Sequence, residues 1–297
     1  SYTSFESMGA SLRGGLSLGL SGYQFWSVDI GGFRGEPSPE LYVRWAQWGL
    51  LGTSHSRFHG TTPREPWEFG EEAASIVTRY IRERYRLLPY LYSCAAHASE
   101  SGLPVMRPLV LEFQHDPAVW NEDTELLLGE ALLVAPVLRP DDNRTVYLPE
   151  GEWVDYWTNE RYEGQQSIHL TPDLDTLPLF VRAGRVIPRR ESIQSVSLAD
   201  EPPDLDLRVE LPSTEVGGAD HDAQSATDDR RSASFEYYND TLEAVQEIRV
   251  VSTPESALEL SFPTSTPVES ATIRPVEQRP DAVEVNDVQL SPVNADP

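Results

Sequence analysis

Lysine is absent from this 297-residue sequence. All 23 basic residues are arginine, and they stand against 48 aspartates and glutamates, which gives a net charge of −25. Such a negative field repels nucleic acid and anionic membranes, so the composition excludes both as partners. Arginine still pairs with carboxylates through its planar fork, and at molar salt a Debye length of about 3 Å mutes repulsion between acids. We interpret the composition as that of a halophile protein, with an acidic, arginine-biased mesophile protein as the alternative.

Cysteine and long apolar runs are scarce as well. The one cysteine, Cys94, can form no internal disulfide, and its place in a helical pattern favours a buried thiol over a catalytic one. No run reaches transmembrane length, and the N-terminus does not have the pattern of a secretion signal. These features predict a cytoplasmic protein. Because the sequence starts at Ser1 within an ordered pattern, we expect it to be a piece of a longer chain.

Motifs for metal and cofactor chemistry are also missing. The sequence has no CxxC, no HExxH, no phosphate-cradling loop and no GxGxxG. His55 and His59 are four residues apart, but on a strand this spacing holds them too far from each other to bind one zinc ion. We therefore expect neither a cofactor nor a metal site.

The chain changes character twice, which predicts three units. Residues 1–102 are rich in glycine and aromatics, residues 103–190 are short apolar runs cut by proline and glycine, and residues 191–297 are acidic. The last unit carries 23 of the 48 acids and only six arginines. We expect it to form a distal β domain that is partly disordered, with disorder of the whole tail as the alternative.

Hydrophobic spacing in residues 1–102 predicts alternating helices and strands. The predicted elements are a helix at 4–14, a strand at 15–29, a helix at 39–50, a strand at 51–59 and a helix at 71–101 that is kinked by Pro89. Residues 15–29 are assigned to a strand because a glycine-dense apolar run loses too much backbone entropy in a helix. This order is that of half an α/β layer, most simply the C-terminal part of a (β/α)8 barrel.

The following residues read as β structure. Strands separated by turns are predicted at 103–113, 131–138, 145–148, 153–157 and 179–188. In the acidic unit, strands are predicted at 232–238 and 247–251, after a mobile loop at 217–231. The overall fold class is thus α/β plus β, a partial barrel followed by β-sandwich domains.

Polar residues end both predicted barrel strands. Asp29 ends the first and His59 the second, and the C-terminal ends of barrel strands meet at one mouth. Asp29 can serve there as a general base, a nucleophile or an acceptor for a sugar hydroxyl, and His59 as a base or a hydroxyl donor. The structural alternative is that Asp29 pairs with Arg57 to brace the barrel. Phe33 and Trp26 lie close by in sequence, and aromatic walls beside a carboxylate are typical of sugar sites, although core packing is the alternative.

A series of motifs resembles a known family. The motifs, in chain order, are SFESMGASLRGGLSLGLSGYQFWSVDIGGF, HSRFHG, REPWEFG, RYRLLPYLYS, LPVMRPLVLEF, LLVAPV, VYLPEGEWVDYW and LPLFVRAGRVIP. Together they resemble the C-terminal half of glycoside hydrolase family 31, the retaining α-glucosidases and α-xylosidases. The resemblance is continuous from residue 1 to about residue 190 and fades beyond it.

The resemblance implies a role for each candidate residue. His59 recognises hydroxyls in the sugar pocket, Asp29 and Arg57 form its polar floor, Phe33 is an aromatic wall, and Trp26 lies close behind. The family's two catalytic aspartates have no counterpart in this chain, since the acid/base is expected immediately before Ser1 and the nucleophile further upstream. The implied partner is an oligosaccharide or α-glycoside, and self-association into a homo-oligomer is left open.

The opening SYTSFES resembles the α-xylosidase branch more than the Ser-Ser-Trp-Glu wording common among α-glucosidases. We therefore expect an α-xylosidase as part of a longer chain, and we expect this segment alone to be inactive. The alternatives are an α-glucosidase of the same family and a non-catalytic carbohydrate-binding remnant of a split gene.

Overall fold

The computed structural model describes residues 1–193, 204–213, 231–252, 257–274, 282–285 and 288–290. Within these ranges the secondary structure is α/β followed by β, as the sequence predicts. None of the helices found there combines the length and apolar character needed to cross a membrane.

Helices and strands alternate in the N-terminal part of the chain. The elements are α1 (Phe5–Leu20), β1 (Ser27–Asp29), α2 (Pro39–Leu51), β2 (His55–Arg57), α3 (Glu71–Arg86) and α4 (Leu88–Ser101). β1 and β2 pair in parallel, the arrangement that a crossover through α2 requires. The predicted order of helix, strand, helix, strand and helix is confirmed.

The predicted strand at 15–29 is wrong over most of its length, because α1 continues to Leu20. Its glycines serve close packing. A Cβ on Gly15 would lie 2.4 Å from Met106 Cε and 2.6 Å from Trp26 Nε1, and one on Gly19 would lie 3.3 Å from Pro104 Cγ. The entropy cost of glycine in a helix, about 0.5–1 kcal/mol relative to alanine, is thus offset by contacts that only a residue without a side chain allows.

Two other boundaries differ from the prediction. The second strand covers only His55–Arg57, because Leu51 still belongs to α2 and Gly52 caps that helix. The long helix predicted at 71–101 is divided at Leu87 into α3 and α4, with Pro89 in the first turn of α4, where a missing N–H costs nothing. It ends at Gly102, which has the left-handed φ of 79° that a helix C-cap uses.

Residues 106–182 form antiparallel sheets. The strands are β3 (Met106–Arg107), β4 (Leu126–Leu128), β5 (Leu132–Val134), β6 (Arg144–Leu148), β7 (Glu152–Asp155), β8 (Arg161–Glu163), β9 (Gln166–Leu170) and β10 (Leu179–Arg182). Six of them pair in the order β3-β4-β5-β10-β7-β8, and β6 pairs with β9. Strand structure is confirmed within each predicted segment, but the segment 103–113 contains only the two residues of β3 and then a 3-10 helix at Leu109–Leu111, and β4, β8 and β9 are not predicted.

Within the described residues, the distal sheet has eight strands. They are β11 (Arg185–Arg189), β12 (Leu205–Glu210), β13 (Arg231–Asn239), β14 (Ala244–Ser252), β15 (Ala257–Ser261), β16 (Val268–Arg274), β17 (Ala282–Val285) and β18 (Val288–Leu290). The two strands predicted in the acidic unit are confirmed as β13 and β14, which pair as a hairpin. Apart from Arg231, the loop expected at 217–231 lies outside the described residues, as does the end of the chain after residue 290. The three-unit division itself stays a prediction.

Arg44 of α2 connects the α/β part of the chain to the segment between β9 and β10. Its guanidinium is 1% exposed and donates to the carbonyl oxygens of Pro172 (2.9 Å), Asp173 (3.1 Å) and Thr176 (3.0 Å), and it pairs with Asp142. Apolar residues of α1 to α4 share a continuous core with strands of both sheets. The position of α2, and through it of β1 and β2, is therefore fixed by the β structure that follows.

Candidate active site

Polar side chains meet at the C-terminal edge of β1 and β2. The parallel register places Ser27 opposite His55 and Asp29 opposite Arg57. The backbone continues this pairing beyond β1, since Ile30 N donates to Arg57 O at 2.8 Å. The prediction that both strands present polar residues at one edge is therefore confirmed, but the prediction that His59 ends the second strand is wrong, because β2 ends at Arg57 and His59 follows it in the loop.

Asp29 is the centre of this group. Its Oδ1 lies 2.9 Å from Arg57 Nη2 and 3.4 Å from His59 Nδ1. The Asp29 side chain is 18% exposed, whereas those of Arg57 and His59 are 62% and 51% exposed. Both contacts reach Oδ1, and an ionised carboxylate has further lone pairs that can accept a hydrogen bond from a ligand hydroxyl. Arg57 and His59 present further donors beside Asp29, so the cluster can bind several hydroxyl groups of one sugar.

Phe33 gives this polar group an aromatic side. Its ring centroid lies 5.2 Å from that of His59, at an interplanar angle of 51°. The chain reaches this position through Gly31 and Gly32, whose φ angles of 80° and 82° suit glycine, and a Cβ on Gly32 would lie 2.7 Å from Tyr2 O. Apolar sugar faces stack on such rings while hydroxyl edges bond to polar neighbours.

Trp26 is separate from the cluster. It precedes β1 and so lies at the opposite end of that strand from Asp29, about 10 Å away at the usual strand rise. Its indole packs on Gly15 of α1, and its backbone is held by Ser54 Oγ, which accepts from Trp26 N at 2.9 Å and donates to Trp26 O at 2.7 Å. The structure thus brings together four of the five predicted binding residues, and a binding role for Trp26 stays a prediction.

Arg64 was not predicted as a site residue, yet it joins the two loops that form the site. It is 2% exposed, and its guanidinium donates to the carbonyl oxygens of Gly32 and Gly35 in one loop and of Thr62 and Pro63 in the other. Burial lowers the pKa of Arg64. A sequence offers no signal that separates such an arginine from a solvated one, because apart from Thr62 Oγ1 the acceptors named for its guanidinium are backbone carbonyls.

His55 begins β2, whereas His59 lies two residues beyond the end of that strand. His55 Nδ1 is 3.0 Å from Ser54 Oγ, and burial, with the nearby Arg84 and Arg57, lowers the pKa of His55. The part of the chain that the structure describes contains no group of three His, Cys, Asp or Glu side chains that could hold a metal ion.

Two family models match the chain in succession. The model described as "Glycosyl hydrolases family 31 TIM-barrel domain" matches residues 1–94, and "Glycosyl hydrolase family 31 C-terminal domain" matches residues 102–187. The chain belongs to glycoside hydrolase family 31. The cluster around Asp29 therefore lies within the part of the family 31 chain that corresponds to its barrel domain.

Named relatives divide between two substrate classes. The chain is 43% identical over 195 residues to an α-xylosidase of Emericella nidulans, covering 63% of this chain and 25% of the relative. It is 42% identical over 201 residues to α-glucosidase 2 of Bacillus thermoamyloliquefaciens, covering 66% and 25%. Among solved structures, the family 31 α-xylosidase of Xanthomonas citri superimposes with a TM-score of 0.74 at 29% identity, covering 96% of this chain and 31% of that one. This family 31 chain thus spans about a quarter of the length of the curated relatives it matches.

Proposed function

We propose that this chain forms the sugar-binding part of a retaining glycoside hydrolase acting on α-linked glycosides, most specifically an α-xylosidase. The observation that carries the proposal is the cluster of Asp29, Arg57, His59 and Phe33 at one strand edge, in a chain of family 31. The α-xylosidase names of relatives from Emericella nidulans and Xanthomonas citri support this substrate class.

The proposed reaction uses two carboxylates about 5–5.5 Å apart. One attacks the anomeric carbon, and the other protonates the leaving oxygen. Water then opens the covalent intermediate, and the second group acts as the base. In this proposal neither carboxylate comes from residues 1–297. Asp29 is instead assigned to the pocket floor, where its Oδ1 contacts Arg57 and His59.

The position of Ser1 supports an acid/base located directly before it in a longer protein. Ser1 Oγ accepts a hydrogen bond from Phe33 N at 3.2 Å, and Ser1 O accepts one from Arg34 N at 3.0 Å. A residue joined to Ser1 would therefore lie beside the aromatic wall, next to a sugar bound against Phe33.

The proposal includes a wider architecture and setting. We assign residues 1–102 to the C-terminal part of a (β/α)8 barrel and the β structure to two β-sandwich domains. We assign the protein to a halophile cytoplasm, because its charge of −25 is carried without lysine and it has one cysteine. Whether it forms a homo-oligomer is measured by light scattering on the longer protein.

The deciding experiment uses the longer protein with aryl α-xyloside and aryl α-glucoside as substrates. We expect turnover with the α-xyloside at the higher kcat/KM and release of α-xylose as the first product, which NMR of the anomeric proton detects. A higher kcat/KM for the glucoside selects the α-glucosidase alternative. Binding without turnover selects the carbohydrate-binding remnant. Turnover by residues 1–297 alone contradicts the placement of the carboxylates outside this chain.

A further inference from the structure

We infer that Arg64 is a positioning residue of the sugar site. It keeps Phe33 and His59 at a fixed separation by bridging the two loops that follow β1 and β2. The inference rests on the proposed function, and it assigns to Arg64 no contact with the sugar. It concerns how two side chains from separate loops keep the 5.2 Å ring separation seen in the structure.

The bridge is made of backbone carbonyls on both sides. In the loop after β1, Gly32 O accepts from Nη2 at 3.0 Å and from Nε at 3.3 Å, and Gly35 O accepts from Nη2 at 2.7 Å. In the loop after β2, the carbonyl oxygens of Thr62 and Pro63 accept from Nη1 at 3.1 and 3.2 Å. Phe33 lies between the two glycines of the first loop, so the guanidinium holds the backbone on both sides of that ring.

Glycines make room for the guanidinium. A Cβ on Gly60, the residue after His59, would lie 2.8 Å from Arg64 Cζ, and one on Gly31 would lie 3.4 Å from Nε. The backbone of Arg64 is itself fixed, because its carbonyl accepts from Tyr42 Oη at 2.6 Å, a buried group on α2. Arg64 thus connects α2, the helix between β1 and β2, to both loops.

A buried cation whose partners are carbonyl oxygens cannot be replaced by lysine. An ammonium group has three donors at one point, whereas the guanidinium distributes five donors over a plane and reaches both loops at once. Burying a charged group costs free energy, and an apolar side chain could fill the same space without that cost. The presence of arginine here therefore indicates that the site needs its hydrogen-bond donors.

The test is a double-mutant cycle in the longer protein. Arg64→Lys is expected to lower kcat/KM for the aryl α-glycoside roughly ten- to hundredfold, mainly through KM, because Phe33 and His59 are displaced by a fraction of an ångström to an ångström. In a background carrying both Phe33→Ala and His59→Ala, the same substitution is expected to change kcat/KM less than about twofold, since the groups through which it acts are gone.

Arg84→Lys is the matched control. Arg84 is partly buried and donates to the carbonyl oxygens of Leu50 in α2 and of Thr53 and Ser54 just before β2, at the opposite end of that strand from the loop that carries His59. We expect Arg84→Lys to lower the melting temperature without the tenfold loss in kcat/KM. Gly60→Ala, which crowds the guanidinium while keeping its charge, is expected to reproduce the rise in KM.

Two outcomes overturn the inference. One is an unchanged kcat/KM in a folded Arg64→Lys protein. The other is a loss of the same size in the presence and absence of Phe33 and His59, which would show that Arg64 acts on overall stability. If the unsubstituted longer protein turns over no glycoside, the proposed function fails first, so the two failures are distinguishable.

Discussion

Asp29 Oδ1 lies 2.9 Å from Arg57 Nη2, and the two residues are register partners across β1 and β2. The pair joins the ends of two adjacent strands at the edge where the sugar site is proposed. It could brace the strands or prepare a binding surface, and the two roles differ in what is lost when one partner is removed.

Replacing Arg57 separates these roles. Its side chain is 62% exposed, and exposed ion pairs contribute about 0–1 kcal/mol, so Arg57→Ala is expected to change the free energy of unfolding by less than about 1 kcal/mol. We expect kcat/KM for the aryl α-glycoside to fall at least severalfold. Arg13→Ala, which breaks an exposed 2.9 Å pair with Asp123, is the control for a surface ion pair outside the site. A large loss of stability with kcat/KM preserved would favour bracing.

His59 is expected to contribute a hydroxyl contact. His59→Ala in the longer protein should reduce transition-state binding by about 1–3 kcal/mol, the usual cost of losing a hydrogen bond in a buried site. His55→Ala is the control, since His55 begins β2 whereas His59 lies two residues beyond the end of that strand. Steady-state kinetics with both variants decides the matter, and an unchanged kcat/KM for His59→Ala removes this residue from the pocket.

The elements of the site could be predicted because they depend on strand ends. Asp29, Arg57 and His59 were placed by the rule that parallel strands meet at their C-terminal edge, and Phe33 by its closeness to Asp29. Arg64 could not be placed in this way. Its four carbonyl partners, on Gly32, Gly35, Thr62 and Pro63, are backbone atoms 1 to 32 residues away, and no residue type along the sequence marks them.

Element boundaries depended on packing that local sequence does not record. Gly15 and Gly19 disfavour a helix by their own entropy, yet α1 includes both because β3 and Trp26 approach them. The strand β4, Leu126–Leu128, was missed because three buried leucines have no alternation that distinguishes a strand from a helix. For α1 the deciding contact with Met106 comes from far along the chain, and β4 is defined by its pairing with β3 and β5.

The lysine-free acidic composition predicts dependence on salt. At a net charge of −25, repulsion between acidic side chains opposes the folded state. At about 1 M salt the Debye length is about 3 Å, so this repulsion is screened. We expect the melting temperature to rise between millimolar and molar NaCl, and circular dichroism at low salt to show a loosened fold. Equal melting curves at both salt concentrations would contradict the halophile assignment and favour an acidic mesophile protein.

Glu125 predicts a pH dependence of stability. It is 1% exposed, and burial raises its pKa to about 8, although Arg144 Nη2 at 3.3 Å partly opposes the shift. A carboxyl whose pKa is higher in the folded state than in the unfolded state, about 4.5, stabilises the fold while it keeps its proton. That contribution is complete below pH 4.5 and is lost as the pH rises to about 8.

The measurement is the slope of melting temperature against pH between 5 and 8. We expect the slope of melting temperature against pH to be flatter or more positive for Glu125→Gln than for the unsubstituted protein. The substitution also removes the carboxylate partner of Arg144, so the comparison uses the slopes and not the absolute melting temperatures. Glu150→Gln, at an exposed position, is the control and should keep the original slope. Parallel slopes in all three proteins would show that Glu125 is ionised in the folded state throughout this range.

Gly14 and Gly15 are adjacent in α1, but their surroundings predict opposite responses to the same change. A Cβ on Gly15 would lie 2.4 Å from Met106 Cε, so Gly15→Ala overpacks the contact with β3 and should destabilise the protein by about 1–3 kcal/mol. A Cβ on Gly14 meets nothing within 4 Å, so Gly14→Ala should gain about 0.5–1 kcal/mol from the higher helix propensity of alanine. Denaturant unfolding of both variants provides the comparison. If Gly15→Ala were stabilising, the glycines of α1 would have to be explained by something other than close packing on Met106 and Trp26.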